Sequence, residues 1–257
     1  MRKRADEILV QRGIFLTRHQ AQRAIKEKKI LIDGKFVKAS TLIDILSPIK
    51  VLEPLKFVGR GGEKLEGALK DLNLSVEEKI ILDGGCSIGG FTDCCLQLGA
   101  KKVIAVDVGK GVLDWKLRKN PQVETWEGVN LRFPPAELIQ KWHGRVDIVL
   151  LDLSFISLCQ IFPSIIPFLS PSGSVLALVK PQFELSSKEV GKGGVVRDAL
   201  LRRKAVEKAI SCAIRQGLFP VQIVPSRIPG AKGNREYFVL FQRSRREFSL
   251  PEKEFFT

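Results

Sequence analysis

The sequence predicts an α/β chain in which a parallel sheet with helices on both faces follows a small, basic α+β module. Three observations carry this. Between residues 80 and 241, short apolar strand-like runs alternate with helical segments, the pattern of successive βα units. Ahead of them, within about 50 residues, come two short helical patterns and a turn. The charge is also uneven. The chain holds 42 Lys+Arg against 28 Asp+Glu, a net of +14, and residues 1–60 alone carry +8 of it, from 14 basic and 6 acidic residues. A basic module fused to a larger, nearly balanced one is the natural reading.

The chain has 257 residues, 44% apolar and 27% charged, enough for a sizeable core. The positive excess favours a polyanionic partner, nucleic acid or an anionic membrane surface. No transmembrane span is expected, because the longest aliphatic run, 175–179, is far short of the roughly 20 residues a bilayer needs. The basic start has no apolar segment behind it, so no signal peptide is expected. Five cysteines, with Cys94 and Cys95 adjacent, suggest neither a disulfide framework nor paired metal knuckles. The compartment expected is a reducing cytoplasm. Two histidines without ligand spacing offer no metal site.

In the first module Ile8 and Leu9 begin an apolar stripe on a helix ended by Gly13. Thr17 suits the N-cap of a second helix running to about Lys28, with Ala21, Ala24 and Ile25 on one face and Arg18, Arg23, Lys26 and Lys28 on the others. Ile30-Leu31-Ile32, Asp33-Gly34 and Phe36-Val37 then read as a hairpin. This module resembles the αL RNA-binding domain found in a ribosomal small-subunit protein and in pseudouridine synthases. The matching residues are Arg4-Ala5-Asp6, Gly13, Thr17-Arg18, Ala21, Ile25 and Asp33-Gly34-Lys35; Lys28 stands where the family usually has Gly, and Asp33 where Asn is common. The resemblance implies RNA binding through Arg4, Arg18, Arg23, Lys26, Lys28 and Lys35, with Arg60 beyond. A solvated basic face is the plainer alternative. The module is drawn as 1–53.

Residues 54–62, with Pro54 and Gly59-Arg60-Gly61-Gly62, read as a linker. Leu65, Ala68, Leu69 and Leu72 then share a helical face. Strands are expected at 80–83, 103–107, 146–152, 174–180, 218–224 and 237–241, and helices from about Gly90 and near 112–119, 157–168 and 198–216. Asp198 and Gly217 delimit the last helix. In such sheets ligands sit beyond the carboxyl ends of the strands, where Asp83, Asp107, Asp152 and Lys180 fall.

The first of these strands runs into Asp83-Gly84-Gly85-Cys86-Ser87-Ile88-Gly89-Gly90-Phe91. This is close to the dinucleotide fingerprint, but Ser87 takes the place of the glycine that lets backbone approach a pyrophosphate. A ligand without a pyrophosphate does not need the bare backbone, and S-adenosylmethionine is such a ligand. Asp107 is placed to accept hydrogen bonds from its ribose. A Gly-rich turn serves tight packing equally well; three aspartates at strand ends favour the cofactor. Candidate cofactor contacts are Asp83, Gly85, Ser87, Gly89, Gly90, Phe91, Asp107, Asn130 and Asp152. Asn130 is either beside the adenine or a turn residue.

Six segments occur in order: Gly59-Arg60-Gly61-Gly62-Glu63-Lys64, Asp83 to Asp93, Asp152-Leu153-Ser154-Phe155-Ile156-Ser157, Lys180-Pro181-Gln182-Phe183-Glu184, the 191–198 segment and Gly233-Asn234-Arg235-Glu236-Tyr237. Together they resemble the TlyA family of ribosomal RNA 2′-O-methyltransferases, relatives of which are also named haemolysins, from about Arg4 to Phe241. Cys86, Ile88 and Gly59 depart from the family pattern. The resemblance implies a Rossmann-like, FtsJ-type methyltransferase domain over 63–243, S-adenosylmethionine as cofactor, ribosomal RNA or ribosomal subunits as partner, and a basic tail, 244–257, without a counterpart. It also implies a catalytic set Lys64, Asp152, Lys180 and Glu236. A ribose 2′-hydroxyl must lose its proton to become a nucleophile, and a lysine takes that proton only as the amine, through burial or a neighbouring cation. Lys180 is the expected base, Lys64 the second cation, and Asp152 and Glu236 their orienting partners. The 191–197 segment is a lid, an RNA clamp or a flexible loop. A membrane-active haemolysin and a non-catalytic ribosome assembly factor are the alternative readings.

Overall fold

The computed structural model describes residues 1–257, the side chain of Ala231 apart, and divides into two compact units, Met1–Gly59 and Arg60–Thr257.

The first unit contains β1 (Arg2–Arg4), α1 (Ala5–Gln11), α2 (Arg18–Lys26), β2 (Ile30–Ile32), β3 (Leu42–Asp44) and β4 (Ile49–Val51). Thr17 caps α2, its Oγ1 accepting the Gln20 N–H at 3.2 Å. Ala5, Ile8, Leu9, Ala21, Ala24 and Ile25 pack with Ile30, Ile32 and Ile43 into a core of its own. The expected hairpin at Asp33-Gly34 needs correction. The turn closes a single bridge between Ile32 and Lys35, Phe36 is exposed, and β2 pairs antiparallel with β4 instead. Beyond Val37 the chain turns at once, with Thr41 Oγ1 accepting the Lys38 N–H, so no second strand can grow there. Arg23 is corrected as well. It is buried, bonded to Glu27 at 2.8 Å and to the Phe57 carbonyl at 2.7 Å, and not on a solvated face.

The second unit opens with α3 (Arg60–Asp71) and alternates thereafter: β5 (Ile80–Gly84), α4 (Gly90–Gln97), β6 (Lys102–Asp107), α5 (Trp115–Arg118), β7 (Val123–Glu127), α6 (Ala136–Trp142), β8 (Val146–Leu151), α7 (Phe162–Ile165), β9 (Leu169–Val179), α8 (Pro181–Glu184), α9 (Ala199–Ile214), β10 (Phe219–Pro225) and β11 (Tyr237–Gln242). They form one seven-stranded sheet in the order β10-β11-β9-β8-β5-β6-β7. The strands β7, β6, β5, β8 and β9 pair in parallel, and β11 runs antiparallel between β9 and β10. The order reverses between β5 and β8, which makes the gap beyond their carboxyl ends the switch point of the sheet.

Three expectations change here. Arg60, Gly61 and Gly62 form the first turn of α3 and are not part of a linker. The glycines are small for packing: a Cβ on Gly90 would lie 2.9 Å from the Gly62 nitrogen and 3.1 Å from the Gly61 Cα. The segment after 243 is not a loose tail, since Phe256 is fully buried in the main core, against Tyr237. Cys159 and Cys212 form a disulfide that ties the 3-10 turn Leu158–Gln160 to α9, while Cys86, Cys94 and Cys95 are free and buried. An odd count of widely spaced cysteines hides one pair brought together by the fold.

Candidate active site

The turn after β5 has its backbone in the left-handed region at Gly85 (φ +85°), Ser87 (φ +50°) and Gly89 (φ +96°). Gly85 is required by space as well as by φ, because a Cβ there would lie 2.7 Å from the Asp152 carbonyl oxygen. Asp107, at the end of β6, braces this turn: its Oδ2 accepts the Ser87 N–H at 2.8 Å and its Oδ1 the Gly109 N–H at 2.7 Å. Beyond them opens a cavity of about 420 Å³, lined among others by Gly85, Ser87, Asp107, Asn130, Asp152 and Ser154.

Four predicted cofactor contacts do not line that cavity. Asp83 is fully buried behind it. Its Oδ2 accepts the Thr92 hydroxyl at 2.6 Å, its Oδ1 has no hydrogen-bond partner among the described residues, and burial pushes its carboxyl up to about 7. Gly89 caps α4, and Gly90 and Phe91 pack α4 onto α3.

The four charged candidates meet at the carboxyl ends of the strands, in two ion pairs. Lys180, directly after β9, places its Nζ 2.6 Å from Asp152 Oδ1 and donates to Ser154 Oγ at 3.0 Å. Lys64, on α3, places its Nζ 2.6 Å from Glu236 Oε2. Glu236 immediately precedes β11, whose Tyr237 pairs with Val179, so Glu236 and Lys180 occupy opposite positions one step further along that ladder. Glu236 is nearly sealed from solvent, and Lys180 and Lys64 are largely buried. Each ammonium faces a carboxylate, so the two lysines sit at the same end of the sheet without an unbalanced charge.

The structure adds residues that were quoted only as parts of motifs. Phe155 is 91% exposed, has φ +64°, and stands 5.1 Å from the ring of Phe183. An exposed aromatic in a strained backbone beside a cavity is a functional signal that sequence patterning does not carry. Glu184 is buried and accepts the Ser157 hydroxyl and the Leu158 N–H. Asn234 accepts the Val196 N–H at 3.0 Å and donates to the Gly194 carbonyl at 2.8 Å, which pins the 191–197 segment.

The basic candidates divide by environment. Lys26, Lys28 and Lys35 are exposed. Arg4 and Arg18 both bind Asp6, a fully buried carboxylate that Arg4 above all holds well below its usual range. Arg60 is exposed and donates to the Pro229 carbonyl at 3.4 Å. Among the described residues no helix is long and apolar enough to cross a membrane, and no group of three or more His, Cys, Asp or Glu is arranged to hold a metal ion.

Comparison with known proteins extends this picture. The family model of the FtsJ-like methyltransferases matches residues 57–243, and that of the S4 domain residues 3–45. The chain is 40% identical over 255 residues to the 16S/23S rRNA (cytidine-2′-O)-methyltransferase TlyA of Mycobacterium tuberculosis, covering 98% of this chain and 94% of that protein. It is 40% identical over 239 residues to Hemolysin A of Brachyspira hyodysenteriae, covering 93% of this chain and 99% of that one. A solved structure from Streptococcus thermophilus, which carries a provisional hemolysin name, superposes with a TM-score of 0.77 at 37% identity, covering 99% of this chain and 94% of that one.

Proposed function

The chain belongs to the FtsJ-like methyltransferases and carries an S4 domain, and from that premise we propose that it transfers a methyl group from S-adenosylmethionine to a cytidine ribose 2′-hydroxyl of ribosomal RNA. The observation that carries the reading is the pairing of Lys180 with Asp152 and of Lys64 with Glu236 at the end of the sheet where the cavity opens.

The residues around that cavity suit the cofactor. Gly85 and Ser87 line it beside Asp107, so a ligand in the cavity lies against the turn. Asp107 and Asp152 present carboxylates to a ligand with cationic sulfonium and amino groups, and Asp107 retains lone pairs for ribose hydroxyls. When bound, S-adenosylmethionine supplies an electrophilic methyl group. The protein's own part is to hold the ribose and manage its proton. Lys180 Nζ, placed by Asp152 and Ser154, first releases an ammonium proton to solvent and then, as the amine, takes the proton that the 2′-hydroxyl gives up. Lys64, held by Glu236, supplies positive charge for the alkoxide character that develops on the oxygen. Phe155 offers a stacking face for the base of the target nucleotide.

The first unit is read as the RNA anchor, through exposed Lys26, Lys28 and Lys35. A ribosomal substrate implies action in the cytoplasm. The test is incubation of isolated ribosomal subunits with labelled S-adenosylmethionine, followed by mapping of 2′-O-methyl sites. Label confined to a cytidine 2′-oxygen supports the reading; a labelled base or unlabelled RNA contradicts it.

A further inference from the structure

The segment after β8 and the segment after β9 are fastened to one another at successive points. Asp152 and Ser154 hold Lys180 at 2.6 and 3.0 Å. Phe155 lies against Phe183. At the far end, the buried carboxylate of Glu184 accepts the Ser157 hydroxyl at 2.5 Å on Oε2 and the Leu158 N–H at 2.8 Å on Oε1. Lys208 of α9 donates to the Glu184 carbonyl and brings its Nζ to 4.0 Å from Oε2. The disulfide of Cys159 anchors the next residue to the same helix.

Within this loop Phe155 is the exposed residue with a left-handed backbone, φ +64°. A bulky side chain adopts that conformation only where its surroundings over-determine it. The contacts N-terminal to it are made to the side chain of Lys180. The contacts C-terminal to it are made to Glu184, a buried carboxylate on a short helix. We infer that Glu184 is a positioning residue for methyl transfer: by clasping Ser157 and Leu158 it fixes the 152–158 loop, and through it the placement of Ser154 and Phe155 relative to Lys180. The inference rests on the methyltransferase reading above and goes beyond it, since Glu184 touches neither the cavity lining nor either ion pair.

The test uses the full chain, isolated ribosomal subunits and labelled S-adenosylmethionine. Glu184→Gln keeps the volume and one acceptor for Leu158 but loses the carboxylate that receives the Ser157 hydroxyl. Its single-turnover rate at saturating cofactor should fall about tenfold or more, with cofactor affinity within about twofold of wild type, because the loss falls on placement in the chemical step. Ser157→Ala, which leaves the Leu158 bond in place, should lose about threefold. Added to Glu184→Gln, Ser157→Ala should cost little more, because both act through one clasp. Amide hydrogen exchange supplies a readout independent of activity: residues 153–158 should exchange faster in Glu184→Gln while β8 and β9 keep their protection. Rates within about twofold of wild type, or unchanged exchange over 153–158, overturn the inference. If wild type itself leaves ribosomal RNA unmethylated, the functional reading falls, and the exchange result still decides whether Glu184 holds the loop.

Discussion

Glu236 and Lys180 stand opposite one another one step beyond the Val179–Tyr237 pair of the β9–β11 ladder, yet neither is the other's ion-pair partner. Lys180 turns to Asp152, and Glu236 to Lys64. The reversed strand therefore has a chemical consequence. It brings an acid from the chain's far end beside a lysine at the sheet's centre and leaves both cations balanced. Removing one partner strands a largely buried charge, so Glu236→Ala should cost stability as well as activity, about 3 kcal/mol in a denaturant titration. Glu236→Gln, which keeps an acceptor for Lys64, should cost less of each.

Asp107 braces the glycine turn and faces the cavity. Asp107→Ala should weaken S-adenosylmethionine binding, since ribose hydroxyls would meet an unpaired site at about 1–3 kcal/mol. Calorimetry on the folded variant checks this. Unchanged affinity would assign Asp107 to the turn alone.

Asp83 gives a pH signature. Its folded carboxyl titrates at about 7, raised by burial, against about 4 unfolded. A raised pKa means that the folded state binds the proton more tightly. The contribution is complete below pH 4 and is lost as pH rises through 7, by up to about 4 kcal/mol. Asp83→Asn cannot ionise. Its stability relative to wild type should therefore improve from pH 4 to pH 8 in urea titrations, and a constant difference would remove the assignment.

The basic residues of the first unit should separate by environment. Replacing exposed Lys26, Lys28 and Lys35 with Gln should lower RNA affinity and reduce the salt slope by about 2–3, with no change in thermal midpoint. Arg23→Gln should instead lower that midpoint, because it removes the buried bonds to the Phe57 carbonyl and to Glu27.

How much of this was legible beforehand depended on how local the signal was. Thr17 and Asp198 as caps, Gly217 as a stop and the apolar runs of β5, β6 and β8 are local, and the sequence is enough to find them. β7 was not anticipated, because Val123–Glu127 is an edge strand, half-buried throughout, with no run of apolar residues to mark it. The glycines at 61 and 62 read as part of a linker, whereas they answer the approach of Gly90, a contact that no local pattern encodes. The four charged candidates were legible through the family resemblance. Their partners were not, because pairing depends on which strands lie side by side. Cys159 and Cys212, 53 residues apart, are the same case.

That disulfide closes a loop long enough to matter. Chain-entropy arguments give it about 4 kcal/mol for a separation of 53 residues. Reductant should lower the urea midpoint of wild type and leave Cys212→Ser unaffected. A wild-type midpoint indifferent to reductant would mean that the bond contributes nothing to stability.

The most direct test of the account is single-turnover methyl transfer to ribosomal subunits by Lys180→Arg beside Lys180→Ala. Arginine keeps the positive charge but cannot act as an amine base under working conditions. With Lys180 as proton acceptor, both variants should lose about 10²–10⁴-fold in rate while still binding S-adenosylmethionine. Substantial activity in Lys180→Arg would contradict the account, leaving Lys180 as an electrostatic clamp and the base to be found elsewhere.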